Sequence, residues 1–253
     1  MHIEVSGYGP ALVLIHGWAL HGGIFEPLAE QLRPHFQLHI VDLPGHGYSR
    51  PAAPSLELER VVAEIAAATP PAVWCGWSMG GLYALQAALT QPQVRGVAMV
   101  ASLPRFVRGQ EWPNAVDPAV FAQFGQDLAR DYDGTLGRFL ALDVMGDPQA
   151  MARLSSMREH LVARGSPDPA VLAQGLELLA HTDLRAALAT LTKPGLWLAG
   201  RRDRLVPAGA VHAAAALSPA HHTALTLPGA HAPFLGDPTQ VAEPLRQFVA
   251  ALG

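Results

Sequence analysis

One stretch of the chain combines a buried strand, a sharp corner and the start of a helix. Residues 72–81 read AVWCGWSMGG, in which an apolar run breaks into Gly-x-Ser-x-Gly and then into a helical pattern. Gly76 and Gly80 remove side chains where the strand and helix backbones nearly touch, so Ser78 can adopt a strained conformation with an exposed Oγ. This pattern predicts that Ser78 is a nucleophile. The alternative is a chance occurrence of a short motif in a chain with 24 glycines.

Further apolar runs alternate with helical patterns along the chain. The runs predict strands over 3–5, 11–15, 38–41, 72–77, 94–100, 195–199 and 223–227. The helical patterns lie at 25–32, 56–65, from about 79, 120–130, 135–145, 149–163, 169–181, 207–217 and from 238. Such alternation predicts an α/β fold built on a mostly parallel twisted sheet with helices on both faces. Ligands then bind at the carboxyl ends of the strands.

Between Leu103 and Asp183 the strand pattern disappears and helical patterns take over. We interpret residues 103–183 as a helical cap inserted into an α/β core made of residues 1–102 and 184–253. The length of 253 residues, with 50% hydrophobic and 15% charged residues, suits one large domain with such an insertion.

A serine needs a base and an orienting carboxylate to act as a nucleophile near neutral pH. His231 follows the last predicted strand and Asp203 follows the strand before it, so both are expected at the same sheet edge as Ser78. We therefore predict the catalytic set Ser78, Asp203 and His231. Asp183 and Asp143 are the alternative acids, but neither follows a strand of the sheet.

The oxyanion that such a serine generates requires two N–H donors. The main-chain N–H of Met79, next to the nucleophile, is one candidate, and that of Trp18, in the loop after the strand at 11–15, is the second. The side chains of Trp18 and Trp77 either flank the mouth of the pocket or belong to the core. The histidines show no metal-ligand spacing, and Gly45 and Gly47 lack the residues of a phosphate-binding loop. No metal or cofactor is therefore expected.

Charge and cysteine content exclude several classes of protein. A formal net charge of −4 argues against nucleic-acid binding. The single cysteine, Cys75, lies in a predicted buried strand, so it is expected in the core and is compatible with a reducing compartment. The N-terminal residues do not resemble a secretory signal, and no segment is apolar enough to cross a membrane. We expect a cytoplasmic monomer without membrane contact.

With these residues placed, the chain resembles the α/β-hydrolase family over its whole length. The motifs that carry the resemblance are His16-Gly17, Asp42-x-x-Gly45-x-Gly47-x-Ser49, Gly76-Trp77-Ser78-Met79-Gly80, Gly200-x-x-Asp203 and His231. They imply the fold and leave the substrate open.

A more specific resemblance is to the pimeloyl-acyl-carrier-protein methyl ester esterases of biotin biosynthesis. The residues that carry it are His16-Gly17-Trp18, Gly76 to Gly81, Glu111-Trp112-Pro113, Arg138 to Leu142, Gly175 to Leu179, Thr182 to Arg185 and His231 to Phe234. Several of them lie in the predicted cap, where hydrolases of different specificity diverge. The resemblance implies a serine carboxylesterase that removes a methyl group from a pimeloyl chain on acyl carrier protein.

The same resemblance implies which residues contact the substrate and the carrier. The implied substrate contacts are Trp18, Met79, Phe139, Leu140, Ala141, Leu142, Asp143 and His231. Asp143 departs from the neutral amide expected at its position. The carrier is acidic, whereas the predicted cap holds seven arginines against eleven acidic residues, so recognition requires a local arginine cluster. Arg138, within the matching motif, is the first candidate, with Arg153 and Arg158 as further ones.

Other functions remain open on the same fold. A broad carboxylesterase for short-chain esters, a thioesterase or a carbon–carbon bond hydrolase would use the same three residues. A hydrolase fold retained as a small-molecule receptor would not need all of them. An aspartate-nucleophile dehalogenase or epoxide hydrolase is disfavoured because residue 78 is serine.

Overall fold

A computed structural model gives the fold and describes residues 1–51 and 53–253. Within them, one sheet consists of the strands β1 (His2–Ser6), β2 (Ala11–Ile15), β3 (Gln37–Asp42), β4 (Ala72–Trp77), β5 (Val94–Val100), β6 (Gly195–Gly200) and β7 (His222–Leu227). Their spatial order is β1-β3-β2-β4-β5-β6-β7. β1 pairs antiparallel with β3, whereas the other neighbours pair in parallel. The prediction of a mostly parallel sheet is confirmed.

The burial of each strand follows its place in the sheet. Every residue of β4 and β6 is buried, because helices cover both faces of central parallel strands. β7 lies at one edge and alternates between half-buried and exposed residues along most of its length. The antiparallel strand β1 lies at the opposite edge, as its short alternating pattern predicts. The continuous apolar runs therefore identify the strands at the centre of the core.

Helices make up most of the remaining structure. They are α1 (Glu26–Leu32), α2 (Leu58–Ala68), α3 (Met79–Thr90), α4 (Pro118–Arg130), α5 (Tyr132–Asp143), α6 (Ala150–Ala163), α7 (Pro169–His181), α8 (Arg185–Leu188), α9 (Ala208–Ala215), α10 (Pro233–Gly236) and α11 (Thr239–Ala250). A 3₁₀ turn at Gly22–Phe25 precedes α1. None of the helices in the described residues is long and apolar enough to span a membrane.

Helices α5 and α2 begin at other residues than the sequence predicts, and a local hydrogen bond accounts for each difference. α5 begins at Tyr132, ahead of the predicted start at 135, because the Asp131 side chain accepts a hydrogen bond from the N–H of Gly134 and caps the helix. α2 begins at Leu58 instead of residue 56. The main-chain oxygen of Leu56 is held outside that helix by a 2.8 Å hydrogen bond from the Tyr83 hydroxyl.

The segment between β5 and β6 contains α4 to α8. Its first part is not helical, since residues 107–116 form isolated bridges that pair Val107 with Val116 and Gly109 with Trp112. The division of the chain at residues 103 and 183 stays a prediction, and we use "cap" for residues 103–183. The loops after β2, β4, β6 and β7 open at one edge of the sheet, since these strands are parallel.

Candidate active site

Ser78 lies at the corner between β4 and α3 in a strained conformation. Its φ of 53° and ψ of −123° fall in a region that non-glycine residues rarely adopt, at a cost of about 1–3 kcal/mol. A Cβ on Gly76 would lie 2.2 Å from the main-chain oxygen of Gly80, and a Cβ on Gly80 would lie 2.2 Å from that of Ile15. The Ser102 hydroxyl donates to the main-chain oxygen of Ser78 at 2.7 Å. These close approaches hold the corner in place.

Three side chains from distant parts of the chain meet at this corner. The Nε2 atom of His231 lies 2.9 Å from the Oγ of Ser78, and its Nδ1 atom lies 2.8 Å from an oxygen of Asp203. All three residues are buried. The structure therefore brings together the serine, histidine and aspartate that the sequence predicts as a catalytic set, in a hydrogen-bonded chain suited to proton transfer.

Asp203 is fixed by its own loop as well as by the histidine. Its Oδ1 accepts hydrogen bonds from the main-chain N–H groups of Leu205 and Val206, both at 2.8 Å. Its Oδ2 is left to face the Nδ1 of His231. With a carboxylate at that position, the imidazole carries its proton on Nδ1 and presents an unprotonated Nε2 to Ser78.

The loop of His231 is anchored on both sides. Its N–H donates to the main-chain oxygen of Asp143 at 3.1 Å, and its own main-chain oxygen accepts from the indole of Trp77 at 2.8 Å. Burial lowers the pKa of His231, but the charge and hydrogen bond of Asp203, with the charge of Asp143, outweigh it, so the pKa lies above its ordinary value. The imidazole thus holds a proton more readily than a free histidine.

The alternative acids do not contact the imidazole side chain in this way. Asp183 pairs with Arg185 at 2.8 Å and with Arg105 at 3.1 Å. The side chain of Asp143 is buried, and neither of its carboxyl oxygens has a hydrogen-bond partner within the described residues. Burial raises the pKa of Asp143 to about 8. Of the three candidate carboxyl groups, only that of Asp203 is hydrogen-bonded to the imidazole of His231.

The two predicted oxyanion donors are the main-chain N–H groups of Met79 and Trp18. Met79 is the first residue of α3, where main-chain N–H groups have no partner inside the helix. Trp18 follows His16, whose ring accepts a hydrogen bond from the N–H of Leu43 at 3.0 Å and donates to the main-chain oxygen of Gly17 at 2.8 Å. Burial lowers the pKa of His16 to about 3, so this ring is a neutral brace for the loop that carries Trp18.

A small apolar cavity of about 30 Å³ lies beside Ser78. It is lined by Trp18, Ser78, Phe106, Val116, Val120, Phe121, Phe124, Phe139, Leu176, Leu179, Leu205, Val206 and His231. The sequence did not predict that residues of α4 and α7 form much of this wall. The helical spacing of Val120, Phe121 and Phe124 was the available signal, but only the position of α4 shows that this face covers the site.

The implied substrate contacts occupy different places around this cavity. Trp18 and Phe139 line it and stack edge to face, with ring centroids 4.7 Å apart. Leu140 is buried, and Met79 is packed against Gly175. Ala141 and Leu142 instead line a larger outer groove between α4 and α5, of about 730 Å³. Asp143 lines neither space.

The two tryptophans at the corner differ in role. Trp18 lines the cavity, while its indole donates to the main-chain oxygen of Leu172 in the cap at 2.8 Å. Trp77 is fully buried and packs against His231 and Phe234, with ring centroids 5.7 and 5.3 Å away. It therefore belongs to the core behind the imidazole, and its indole braces the His231 loop.

The three arginines predicted to bind the carrier differ in their exposure and in their intramolecular ion pairs. Arg138, at the edge of the outer groove, lies 3.3 Å from Asp127 and 3.5 Å from Asp131. Arg153 lies 3.3 Å from Asp147 and donates to the main-chain oxygen of Gly236 at 2.9 Å. Arg158 is exposed and has no ion pair within the described part of the chain. The structure does not bring these three into one free cluster.

One further arginine joins the cap to the core. Arg164 lies 3.3 Å from the fully buried Asp42 and 2.9 Å from Glu4, and its guanidinium lies over the ring of Tyr48, 4.8 Å from the centroid. The Asp42 carboxylate also accepts hydrogen bonds from the main-chain N–H groups of Gly22, at 2.7 Å, and Tyr48, at 2.9 Å. We call Glu4, Asp42, Tyr48 and Arg164 the Arg164 cluster.

The site contains no metal-binding cluster: no three His, Cys, Asp or Glu side chains among residues 1–51 and 53–253 are grouped so that they could hold an ion.

Comparison with known proteins agrees with the fold described above. A family model described as the alpha/beta hydrolase fold matches residues 10–238. Among solved structures, an esterase from Exiguobacterium antarcticum has a TM-score of 0.87 at 20% identity, covering 98% of this chain and 95% of its own. A bromoperoxidase from Bacillus anthracis has a TM-score of 0.87 at 19% identity, covering 98% and 94%. At such identities these likenesses establish the fold alone.

Curated relatives are much closer in sequence. A pimeloyl-[acyl-carrier protein] methyl ester esterase from Xanthomonas campestris pv. campestris (strain B100) is 65% identical over 253 residues, all of both chains. A protein of the same name from Stenotrophomonas maltophilia (strain K279a) is 61% identical, covering 100% of this chain and 97% of its own. The chain therefore belongs to the α/β-hydrolase fold family and, within it, to the family of the pimeloyl-[acyl-carrier protein] methyl ester esterases.

Proposed function

We propose that the chain is a serine carboxylesterase that hydrolyses the methyl ester of pimeloyl-acyl-carrier protein in biotin biosynthesis. The hydrogen-bonded chain from Ser78 through His231 to Asp203 is the observation that carries the esterase chemistry. Full-length relatives that are 61–65% identical and bear this name support the choice of substrate. Without them, the geometry would support an esterase of unspecified acyl group.

The reaction follows from the two contacts of the imidazole. Nε2 of His231 takes the proton of Ser78 as the Oγ attacks the ester carbonyl, and Asp203 stabilises the imidazolium that forms. The carbon–oxygen bond to the methoxy group then breaks, and methanol leaves with the proton from His231. Water, deprotonated by the same imidazole, attacks the acyl-enzyme and releases the free carboxyl group and Ser78. No cofactor enters these steps.

The main-chain N–H groups of Met79 and Trp18 are proposed to hold the oxyanion. Each such donor contributes about 10²- to 10³-fold in rate. Because both donors are main-chain groups, replacing the Met79 side chain should affect the oxyanion little. Helix α3 adds the positive end of its dipole at the same point.

The apolar cavity and its surroundings are proposed to receive the pimeloyl chain. Trp18, Phe139 and the ring of His231 already line the space next to Ser78. We propose that the other substrate contacts implied by resemblance complete the site as the cap opens. They are Met79, Leu140, Ala141, Leu142 and Asp143.

Carrier recognition is proposed to use arginines of the cap. Arg158 is exposed and available, whereas Arg138 and Arg153 would have to exchange an intramolecular acid for one on the carrier. The ion pairs of Arg138 lie at the surface, where such pairs are worth at most about 1 kcal/mol, so their exchange is energetically accessible. The pair of Arg153 with Asp147 is largely buried, which makes Arg153 the weaker candidate. We propose that the enzyme acts on this carrier as a cytoplasmic monomer.

The substrate is tested by comparing kcat/KM for pimeloyl methyl ester on acyl carrier protein with that for free short-chain methyl esters. We expect the carrier-linked ester to be preferred. Ser78→Ala should lower the rate by at least about 10⁴-fold. Rescue of a biotin-requiring strain that lacks its own methyl esterase, with Ser78→Ala as the control, extends the test to cells.

The assignment of the substrate and the assignment of the nucleophile can be contradicted independently. A large preference for the free esters would contradict the carrier assignment and favour the broad-specificity esterase or thioesterase. Full activity of Ser78→Ala would contradict the nucleophile and reopen the receptor hypothesis.

A further inference from the structure

Ser102 carries a buried hydroxyl group that the proposed mechanism does not use. The residue follows the end of β5, is fully buried, and lies with its Oγ 2.7 Å from the main-chain oxygen of Ser78. A carbonyl oxygen can only accept a hydrogen bond, so the Ser102 hydroxyl is the donor. This contact joins the sheet to the residue that carries the proposed nucleophile.

The backbone immediately before Ser102 is strained. Ala101 has a φ of 46°, in the left-handed region that residues other than glycine rarely adopt. Its N–H donates to the main-chain oxygen of Leu198 in β6 at 2.7 Å, which holds the bend against the sheet. Such strain persists only where the surroundings determine the conformation, and it is concentrated at functional sites. The bend ends β5 and places Ser102 beside the corner at Ser78.

The helix side of the corner leaves room for the Ser102 hydroxyl. A Cβ on Gly81 would lie 2.2 Å from the Oγ of Ser102 and 2.5 Å from its Cβ. A side chain at residue 81 would therefore push the hydroxyl away from Ser78, which explains the second glycine after Met79. The N–H of Gly81 donates to the same Ser78 oxygen at 2.9 Å. The Ser78 carbonyl is thus held both by the first turn of α3 and by the sheet.

The Ser78 carbonyl belongs to the same peptide unit as the proposed oxyanion donor. The peptide bond between Ser78 and Met79 is trans, so the carbonyl and the Met79 N–H point in opposite directions from one planar group. Fixing the oxygen therefore fixes the direction of the N–H. A hydrogen bond to the oxygen also polarises the peptide group, which strengthens the N–H as a donor. The Gly81 bond moves with α3, whereas Ser102 ties this peptide to the sheet.

We propose that Ser102 is a positioning residue for the oxyanion site: its hydroxyl holds the Ser78–Met79 peptide so that the Met79 N–H stays aimed at the developing negative charge. The inference rests on the proposed function, in which Ser78 attacks an ester carbonyl. Ser102 does not line the cavity beside Ser78, so it acts through Met79. Preorganised donors act where charge develops, so the loss of Ser102 should weaken the transition state and leave substrate binding intact.

Ser102→Ala removes the hydroxyl with little change in size, and a free p-nitrophenyl ester as substrate makes the test independent of the carrier. We expect kcat and kcat/KM to fall together by about tenfold, less than the roughly 10²- to 10³-fold lost with an oxyanion donor itself. Thr69→Val is the matched control. The Thr69 hydroxyl is also buried and donates to a main-chain oxygen, that of Ile65, at 2.8 Å, but Thr69 precedes β4 whereas Ser78 follows it. Both constants should stay unchanged in the control.

Inhibition by an alkyl trifluoromethyl ketone separates positioning from a purely structural role. The Oγ of Ser78 forms a bond to the ketone carbon, its proton passes to His231, and the carbonyl oxygen becomes an oxyanion that faces the proposed donors. The inhibition constant of Ser102→Ala should rise by the same factor as kcat/KM falls. A folded variant that had lost only stability would bind this inhibitor as tightly as the wild type does.

Ser102→Cys keeps a weaker donor and decides the question if the alanine variant does not fold. Its kcat/KM should lie below that of the wild type, with an inhibition constant raised to match. Values of kcat and of the inhibition constant within about twofold of the wild type, in whichever variant folds, would overturn the inference. A rise in KM alone, or an equal loss of activity in Thr69→Val, would do the same.

Ser78→Ala distinguishes this failure from that of the proposed function. If Ser78→Ala is inactive and Ser102→Ala behaves as the wild type, only the role of Ser102 is wrong. If Ser78→Ala keeps full activity, the proposed nucleophile is wrong, and the inference about Ser102 fails with it.

Discussion

At the scale of single residues, the geometry of the site depends on two glycines, which have no side chain to obstruct close backbone contact. Ser78 can occupy its strained corner because Gly76 and Gly80 let three backbones approach within distances that a Cβ would forbid. Strain at one residue persists only when its surroundings determine its conformation. The glycines of the motif are therefore part of the support for Ser78, and adding one methyl group should disturb both stability and activity.

Gly80→Ala is the direct test of this argument. The new Cβ would lie 2.2 Å from the main-chain oxygen of Ile15, which cannot rotate away, so the backbone must shift. We expect a loss of about 1–3 kcal/mol in the free energy of unfolding in urea, and a fall in esterase activity. Gly125→Ala is the matched control, because Gly125 also lies in a helix but has nothing within 4 Å of the added Cβ.

The control should gain about 0.5–1 kcal/mol, the usual advantage of alanine over glycine inside a helix. Equal effects of the two substitutions would contradict the claim that close backbone contact holds the corner.

At the scale of secondary structure, polar contacts join the cap to the rest of the chain, and those of Arg164 are the most deeply buried at their acidic end. The end of α6 is held to the sheet by the Arg164 cluster, in which Asp42 is fully buried. The ring of His21 supports the same helix, since it lies 2.6 Å from the main-chain oxygen of His160. A buried carboxylate that loses its cation becomes an uncompensated charge. The cluster therefore links the stability of the sheet edge to the attachment of the cap.

Arg164→Gln should destabilise the protein by about 2–3 kcal/mol, somewhat less than for a fully enclosed ion pair because Arg164 is partly exposed. Urea unfolding followed by circular dichroism measures the loss. Arg158→Gln, on the same helix but exposed, should change the free energy of unfolding by less than about 0.5 kcal/mol. Similar losses in the two variants would show that the cluster does not anchor the cap.

The strands, and the meeting of Ser78, Asp203 and His231 at one edge of the sheet, were predictable because each depends on a short-range sequence pattern. Uninterrupted apolar runs identify β2 and β5, and the residues after parallel strands must share one edge of the sheet. The walls of the cavity were not predictable in this way, because they depend on how α4 lies over Ser78. The isolation of Asp143 was also hidden, since no sequence pattern shows that a carboxyl group lacks partners.

At the scale of the whole molecule, the protonation of Asp143 should set a trend in stability with pH. Its pKa is raised to about 8 by burial, whereas the unfolded chain ionises it near pH 4. Between these values the folded state holds a proton that the unfolded state has released. Its contribution is thus fully present below about pH 4 and is lost as the pH rises toward about 8.

Asp143→Leu should remove this trend. The free energy of unfolding of the wild type should fall relative to the variant between pH 5 and pH 8, by up to about 1.4 kcal/mol for each pH unit. Urea unfolding at several pH values measures the difference. Asp133→Asn, which removes an exposed acid on the same helix, is the control, and its free energy of unfolding should follow that of the wild type at every pH. A difference between Asp143→Leu and the wild type that stays constant with pH would contradict the raised pKa of Asp143.

The cavity beside Ser78, at about 30 Å³, has room for roughly two water molecules. An acyl chain of several methylene groups needs more room than this, so side chains that line the cavity must move before such a chain can be accommodated. On the proposed function, the rearrangement of Trp18 and Phe139, whose rings stack beside Ser78, becomes a conformational step of each catalytic cycle. A step of this kind can limit turnover in place of the chemistry.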